Sequence, residues 1–132
     1  MDTVRKFVER MYRALDEEEL GPFLALCAAD VVVEYPAEGR LPYGGTWSGK
    51  QRVADFLERH DAAEEILALD IGDIAVADAI AFVRGRFTGM AKPAGQQWAT
   101  DFVHVLTVRD DHLQRWQSFF DTAAAVEAHG PR

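Results

Sequence analysis

The sequence predicts an α+β domain: helices first, then an antiparallel sheet. Three observations predict it. Up to about residue 61, apolar residues recur mostly at three- and four-residue spacing, the period of a helix face. After Glu64 they alternate with period two, the mark of strands with one buried face. Turn-forming residues punctuate that second half at Asp78, at Lys92-Pro93-Ala94-Gly95 and at Arg109-Asp110-Asp111-His112. Helices followed by strands imply helices laid on one face of a curved sheet.

Val4, Phe7, Val8, Met11, Tyr12 and Leu15 form the apolar stripe of a first helix, from about Thr3 to about Asp16, with Asp2 or Thr3 as its cap. Glu17 to Glu19 read as a solvated turn or the start of the next helix. Leu20, Phe23, Leu24 and Cys27 give a short second helix with Pro22 in its first turn. Val31 to Tyr35 is a strand that Pro36 ends. The segment from 36 to 49, PAEGRLPYGGTWSG, reads as a loop, and its large rings Tyr43 and Trp47 suggest that it folds over something. Ser48 is the expected cap of a third helix, from about Lys50 to about Asp61, with Val53, Phe56, Leu57 and His60 inward. His60 is expected to meet that helix's C-terminal carbonyls.

The sheet is expected to run through Ile66–Ala77, bulged near Gly72-Asp73, then Ala79–Met90, then two long strands joined at Asp110-Asp111. One face of that last hairpin carries Trp98, Thr100, Phe102, His104 and Leu106, opposite Trp116, Ser118 and Phe120. Asp121 should cap a short terminal helix.

A chain of 132 residues that is 48% hydrophobic suits one domain, 1–132, with one core. A net charge of -8 argues against nucleic acid and against anionic lipid. No apolar run nears the roughly 20 residues of a membrane span. The first residues, MDTVRKFVERMY, break their apolar positions with charges, unlike a signal-peptide core, so a cytoplasmic location is expected. The single Cys27 is expected to be a small buried hydrophobe. Histidines 60, 104, 112 and 129 share no paired spacing, so no metal site is expected. No phosphate-binding loop or serine nucleophile motif is present, and no cofactor is expected.

Nearly the whole chain resembles the nuclear transport factor 2-like superfamily, in its SnoaL-like branch. LALCAADVVVEYP resembles the helix-to-strand step, LPYGGTWSGKQRVADFL the loop and following helix, and HVLTVRDDHLQRWQSFFDTAA the closing hairpin. The resemblance implies a cone-shaped curved antiparallel β-sheet whose concave face is covered by the N-terminal helices, around an apolar cavity. It also implies where chemistry sits. Ketosteroid isomerases in this superfamily use a general-base Asp, a protonated Asp and a Tyr. Those positions fall here on Tyr35, His104 and Met11, with Tyr12 adjacent, so steroid isomerisation by that mechanism is not expected. The Asp base of SnoaL-type polyketide cyclases also falls on His104. The Arg-x-Asp pair of limonene-epoxide-hydrolase relatives is not matched by Arg84-Gly85-Arg86.

His104 is therefore the candidate acid or base, since histidine titrates nearest neutrality. The competing reading is a core histidine satisfied by a neighbouring Tyr or carbonyl. Tyr12 and Tyr35 are candidate donors to a substrate carbonyl, or buried rings whose hydroxyls find partners. Met11, Tyr43, Trp47, Phe56, Trp98, Phe102, Trp116, Ser118 and Phe120 are the candidate lining for a small hydrophobic or polycyclic ligand. Asp101 is expected to pair with Arg84, Arg86 or Arg115, Glu34 to face outward, and His112 and His129 to be solvated. Three functions stay open: a cofactor-independent isomerase or aldol-type cyclase, a binding protein for a hydrophobic ligand, and an interaction module. Val103, Val105 and Phe119 on the outer face predict a homodimer through the sheet.

Overall fold

In the computed structural model, which describes residues 2–16, 20–92 and 95–130, four helices flank one sheet. The order is α1 (Asp2–Asp16), α2 (Leu20–Leu26), β1 (Cys27–Tyr35), β2 (Gly45–Ser48), α3 (Lys50–Ala63), β3 (Glu64–Ala77), β4 (Ile80–Ala91), β5 (Gln96–Arg109), β6 (His112–Phe120) and α4 (Thr122–His129). The six strands lie in the order β2-β1-β6-β5-β4-β3, curved and not closed into a barrel. Every pairing is antiparallel except β1 with β6, which is parallel. The expected cone-like α+β arrangement is the observed one.

The hairpin of β5 and β6 keeps the predicted turn and faces, with a register shift between Thr107 and Val108 that aligns the two. Phe102 faces Phe120, His104 faces Ser118, and Leu106 faces Trp116. Its turn is made by Asp110 and Asp111, at φ 52 and 59. Two successive left-handed residues give the backbone twist that a two-residue hairpin needs, and aspartate tolerates that conformation better than most side chains. β3 carries the bulge expected near Gly72 and a second one between Ile66 and Ala68. The bulges let this edge strand bend around the core.

Helices α1 and α2 pack on each other, α1 also reaches β3 and β4, α2 and α3 cover β1, and α4 lies across β5 and β4. The core between helices and sheet buries Phe7, Val8 and Met11 from α1, Phe23 from α2, Val53 and Phe56 from α3, and Val83, Leu106 and Leu113 from the sheet. Cys27 is buried as expected, and burial pushes its thiol up to about 12.

Several expectations are corrected. Residues 45–48 are a strand, not loop: Gly45 to Ser48 pair with Tyr35 to Val32. Four residues carry too short a pattern to be read locally, and their order comes from the edge of β1 that they complete. Gly49, not Ser48, precedes α3, with no side-chain cap bond. Its φ of 87 suits glycine. α1 begins at Asp2, so Asp2 and Thr3 lie inside its first turn rather than before it. Asp121 does cap α4, accepting from the Ala124 amide at 3.1 Å. The expected turns at Glu17–Glu19 and at Pro93-Ala94 lie outside the described residues.

Candidate functional site

Between the helices and the concave face lies a cavity of about 690 Å³. The inward side chains of β5 run along it in the order Trp98, Thr100, Phe102 and His104, because alternate strand residues share a face. Trp116, Ser118 and Phe120 of β6 lie beside them, and Tyr12 of α1, Tyr35 of β1 and Phe56 and His60 of α3 close the opposite wall. Asp16, Glu58, Asp61, Glu65 and Lys92, all exposed, form part of its rim. Four carboxylates against one amine give the entrance an acidic field.

At one end His104 is only 5% exposed, and its Nδ1 lies 2.6 Å from the Tyr12 hydroxyl. Its ring is stacked on Phe102 at 4.3 Å and meets the edge of Trp116 at 5.3 Å. Its other nitrogen, Nε2, has no hydrogen-bond partner among the described residues. Burial pulls the imidazole down to about 3, so it is neutral at physiological pH. Burial, and then the neighbouring Tyr35, pushes the Tyr12 phenol above its ordinary value. A hydrogen bond between two neutral groups leaves two arrangements. Either Tyr12 donates to Nδ1 and Nε2–H points into the cavity, or Nδ1–H donates to Tyr12 and Nε2 offers a lone pair.

Tyr35 stands mid-cavity, with ring centroids at 4.7 Å from Phe56, 5.8 Å from Trp116 and 5.8 Å from Phe120. Burial pushes its phenol up, while the Ser118 hydroxyl works against that shift. The Trp116 Nε1–H is sealed from solvent and has no partner among the described residues. Such an orphan donor is rare in a folded interior.

The far end holds a cluster that sequence reasoning missed. Glu64 is 1% exposed at the start of β3. Its Oε2 accepts from Trp98 Nε1 at 2.7 Å, and its Oε1 accepts from the Tyr43 hydroxyl at 3.0 Å and lies 2.8 Å from His129 Nε2. Gly89, directly across from Trp98, makes room for this carboxylate: a Cβ there would come within 2.5 Å of Glu64 Oε2. Burial, then the Glu64 charge, pushes the Tyr43 phenol above its ordinary range. His129 is thus not solvated but folded back by α4 into the cluster. His60 is not turned to the helix end either. Its ring enters the cavity 4.5 Å from that of Tyr43, and burial holds it down to about 4, helped by His129.

Of the expected site residues, His104, Tyr12, Tyr35, Tyr43, Phe56, Trp98, Phe102, Trp116, Ser118 and Phe120 line the cavity together. Two do not. Met11 is fully buried in the core behind the wall. Trp47, drawn into β2, packs on Phe56 and lines a separate shallow pocket with Glu38, Arg52 and Arg59. No local signal joins Glu64 to Tyr43, Trp98 and His129, since only the folded sheet and α4 bring them together. Asp101 pairs with Arg86 at 2.9 Å, one of its expected partners, and the outward Glu34 takes Arg115 at 2.6 Å.

A curved, unclosed sheet with helices over an aromatic cavity is a fold shared by many activities. The family model described as SnoaL-like domain matches residues 8–116, and the chain belongs to that family. A nuclear transport factor 2-like protein from Burkholderia xenovorans LB400 has the same fold, at 23% identity over 98% of each chain with a TM-score of 0.89. So does TerC, co-crystallised with polyporic acid, at 22% identity over 96% of this chain and 98% of TerC, TM-score 0.86. A Catenulispora acidiphila DSM 44928 protein with a ketosteroid isomerase-like fold, in complex with trimethylamine, matches at 18% identity over 96% of this chain and 93% of its own, TM-score 0.79. None of the curated proteins matches the sequence.

Proposed function

We propose that this protein is a cofactor-independent isomerase or aldol-type cyclase. It moves a proton at the carbon next to a carbonyl of an uncharged, aromatic or polycyclic small molecule. The observation that carries the proposal is the Tyr12–His104 pair at 2.6 Å, with Nε2 unpaired beside a large aromatic cavity. With Nδ1–H donating to Tyr12, the Nε2 lone pair takes a proton from carbon and the C–H electrons move into the carbonyl to form an enolate. Tyr12, held at Nδ1, fixes the ring and its tautomer, and Tyr35, which lines the same cavity, is the donor to the enolate oxygen. Both phenols are held protonated, so Tyr35 can act as that donor. The imidazolium that burial disfavours becomes accessible beside the enolate, because an opposite charge raises its pKa. The proton then returns to a different carbon, or the enolate carbon attacks a second carbonyl and the new alkoxide takes it.

The lining is aromatic and the rim acidic, which favours a neutral substrate over an anion. That relatives hold polyporic acid or trimethylamine supports a small-molecule cavity here. The test is solvent deuterium exchange into the methyl group of 2-acetylnaphthalene. The wild type should accelerate exchange, and His104→Ala should lose about 10²–10⁴-fold of it, the usual share of a positioned base. No acceleration by the wild type overturns the reading.

A second reading follows from the other tautomer of the same pair. If Tyr12 donates to Nδ1, Nε2–H is a donor and the cavity binds a carbonyl ligand without turning it over. A homodimer is proposed through the outer face, where Phe82, Val103 and Phe119 are exposed and lie on adjacent strands. A cytoplasmic location is proposed, and the free Cys27 is compatible with a reducing compartment.

A further inference from the structure

The cavity has polar groups at both ends, and the proposed chemistry uses only one of them. His60 lies in the last turn of α3, ringed by Tyr43 at 4.5 Å, Phe56 at 6.2 Å, Tyr35 at 6.3 Å and Phe87 at 6.4 Å between centroids. It lines the cavity, and neither of its ring nitrogens is hydrogen-bonded to a group among the described residues. A half-buried imidazole that lines a cavity can take its partners from whatever occupies that cavity. Its surroundings keep it neutral, so it offers one N–H donor and one lone pair.

The neighbouring groups narrow what can supply those partners. Glu64, the carboxylate beyond it, already accepts from Trp98 and Tyr43 and touches His129, so it is not free to hold an ammonium group. The acidic rim disfavours an anion. A carbonyl or ether oxygen can meet only the N–H of the imidazole, whereas a hydroxyl can accept from the N–H or donate to the lone pair, whichever nitrogen faces the cavity. The position fixes the length. Phe87, beside His60, pairs across the sheet with Thr100, and Trp98 is next to Phe87 at 5.3 Å. His104 lies four to six residues further along β5, roughly 13–20 Å at the rise of a strand. Trp116 and Tyr35 line the cavity wall between the two imidazoles.

We propose that His60 forms a second polar subsite that binds a hydroxyl on the far ring of an extended, uncharged aromatic ketone whose carbonyl lies at His104. This rests on the proposed proton-transfer reading for the position of the carbonyl. It goes beyond that reading in assigning a substrate class and a specificity-determining residue.

The test compares two probes that differ by one group, 2-acetylnaphthalene and 6-acetyl-2-naphthol, whose hydroxyl and acetyl groups stand at opposite ends of the ring system. The wild type should bind the hydroxy ketone about tenfold more tightly, one good hydrogen bond. In His60→Phe, which keeps a ring among the aromatic neighbours, the ratio of the two affinities should fall to within about twofold of one. His60→Gln, whose amide also carries a donor and an acceptor, should recover part of the preference. A merely structural histidine would shift both affinities together and leave the ratio alone. If His60→Phe does not fold, ¹⁵N spectra of the wild type decide: the His60 ring nitrogens should shift with the hydroxy ketone and not with its parent. Equal affinities in the wild type, a preference that survives His60→Phe, or failure of both ketones to bind would overturn the inference. Methyl deuterium exchange in the same samples reports separately on His104, so a cavity that prefers the hydroxy ketone but exchanges no protons would keep the subsite and lose the catalytic reading.

Discussion

Glu64 shows how much one side chain can hold together. It is sealed inside the fold and serves Tyr43, Trp98 and His129 at once, which ties the 36–49 segment, β5 and α4 to the start of β3. Glu64→Leu would strand those polar groups in a dry interior. The expected loss is on the order of 3 kcal/mol, a fall in thermal midpoint of about 10 °C. Glu65→Leu, at an exposed neighbour, should move the midpoint little. Equal effects from the two variants would show that the cluster is not the clamp described. The buried His104 and the half-buried His60 add a pH dependence of known sign. In the folded chain they titrate at about 4 for His60 and about 3 for His104, against 6.5 unfolded. Below 6.5 the unfolded chain therefore binds more protons than the folded one. Stability is fully present above that value and falls as pH drops toward 4, by about 1 kcal/mol per pH unit for each histidine. Urea midpoints measured from about pH 7 to about pH 5 should decline, and His60→Phe should flatten the decline. A midpoint that stays level over that range contradicts it. His104 and its aromatic wall were legible in the sequence, because strand periodicity alone puts Trp98, Phe102 and His104 on one face. Glu64 and His129 were not, and for His60 only its inward side of α3 was. Their roles depend on contacts made across the fold, and a glutamate at a helix-to-strand junction or a histidine near a chain end looks solvated in isolation.

At the scale of elements, α4 is the piece whose stability should govern the far end of the cavity. It is a short helix held by the Asp121 cap and by burial of Ala125 and Ala128, and it carries His129 to Glu64. Asp121→Ala removes the cap and should cost about 1 kcal/mol. The amides of α4 should then exchange hydrogen faster while those of β5 and β6 stay protected. Uniform loss of protection across the sheet would mean that α4 is not a separable unit. Long, strongly patterned elements were the readable ones. The β5–β6 hairpin came out with its turn and its two faces, while the bulge between Thr107 and Val108 that brings the tight turn's pairing into line with those faces was not legible. β2 was hidden because its four residues gain their order from pairing with β1 and from seating Trp47 against Phe56. The extra bulge at Ile66–Ala68 was hidden for a similar reason. It answers to how β4 lies beside the strand, not to any local residue pattern.

At the scale of the whole molecule, the sheet has two faces with different demands. The concave face encloses the cavity, and the convex face exposes Phe82, Val103 and Phe119, the last at 53%. A second copy covering that patch is the expected assembly. Light scattering at micromolar concentration should give twice the chain mass, and Phe119→Lys should give the monomer. A monomeric wild type would contradict the dimer without touching the site.

The concave face carries the central claim, that Tyr12 and His104 act as one proton-transferring unit. The measurement that tests it most directly is a double-mutant cycle on methyl deuterium exchange of 2-acetylnaphthalene, with thermal midpoints recorded for each variant. Tyr12→Phe and His104→Ala should each slow exchange, and the double variant should be no slower than His104→Ala alone, since residues that act as a unit are not additive. Losses that add, or exchange that survives His104→Ala while the midpoint falls, would contradict the account and leave the pair as architecture.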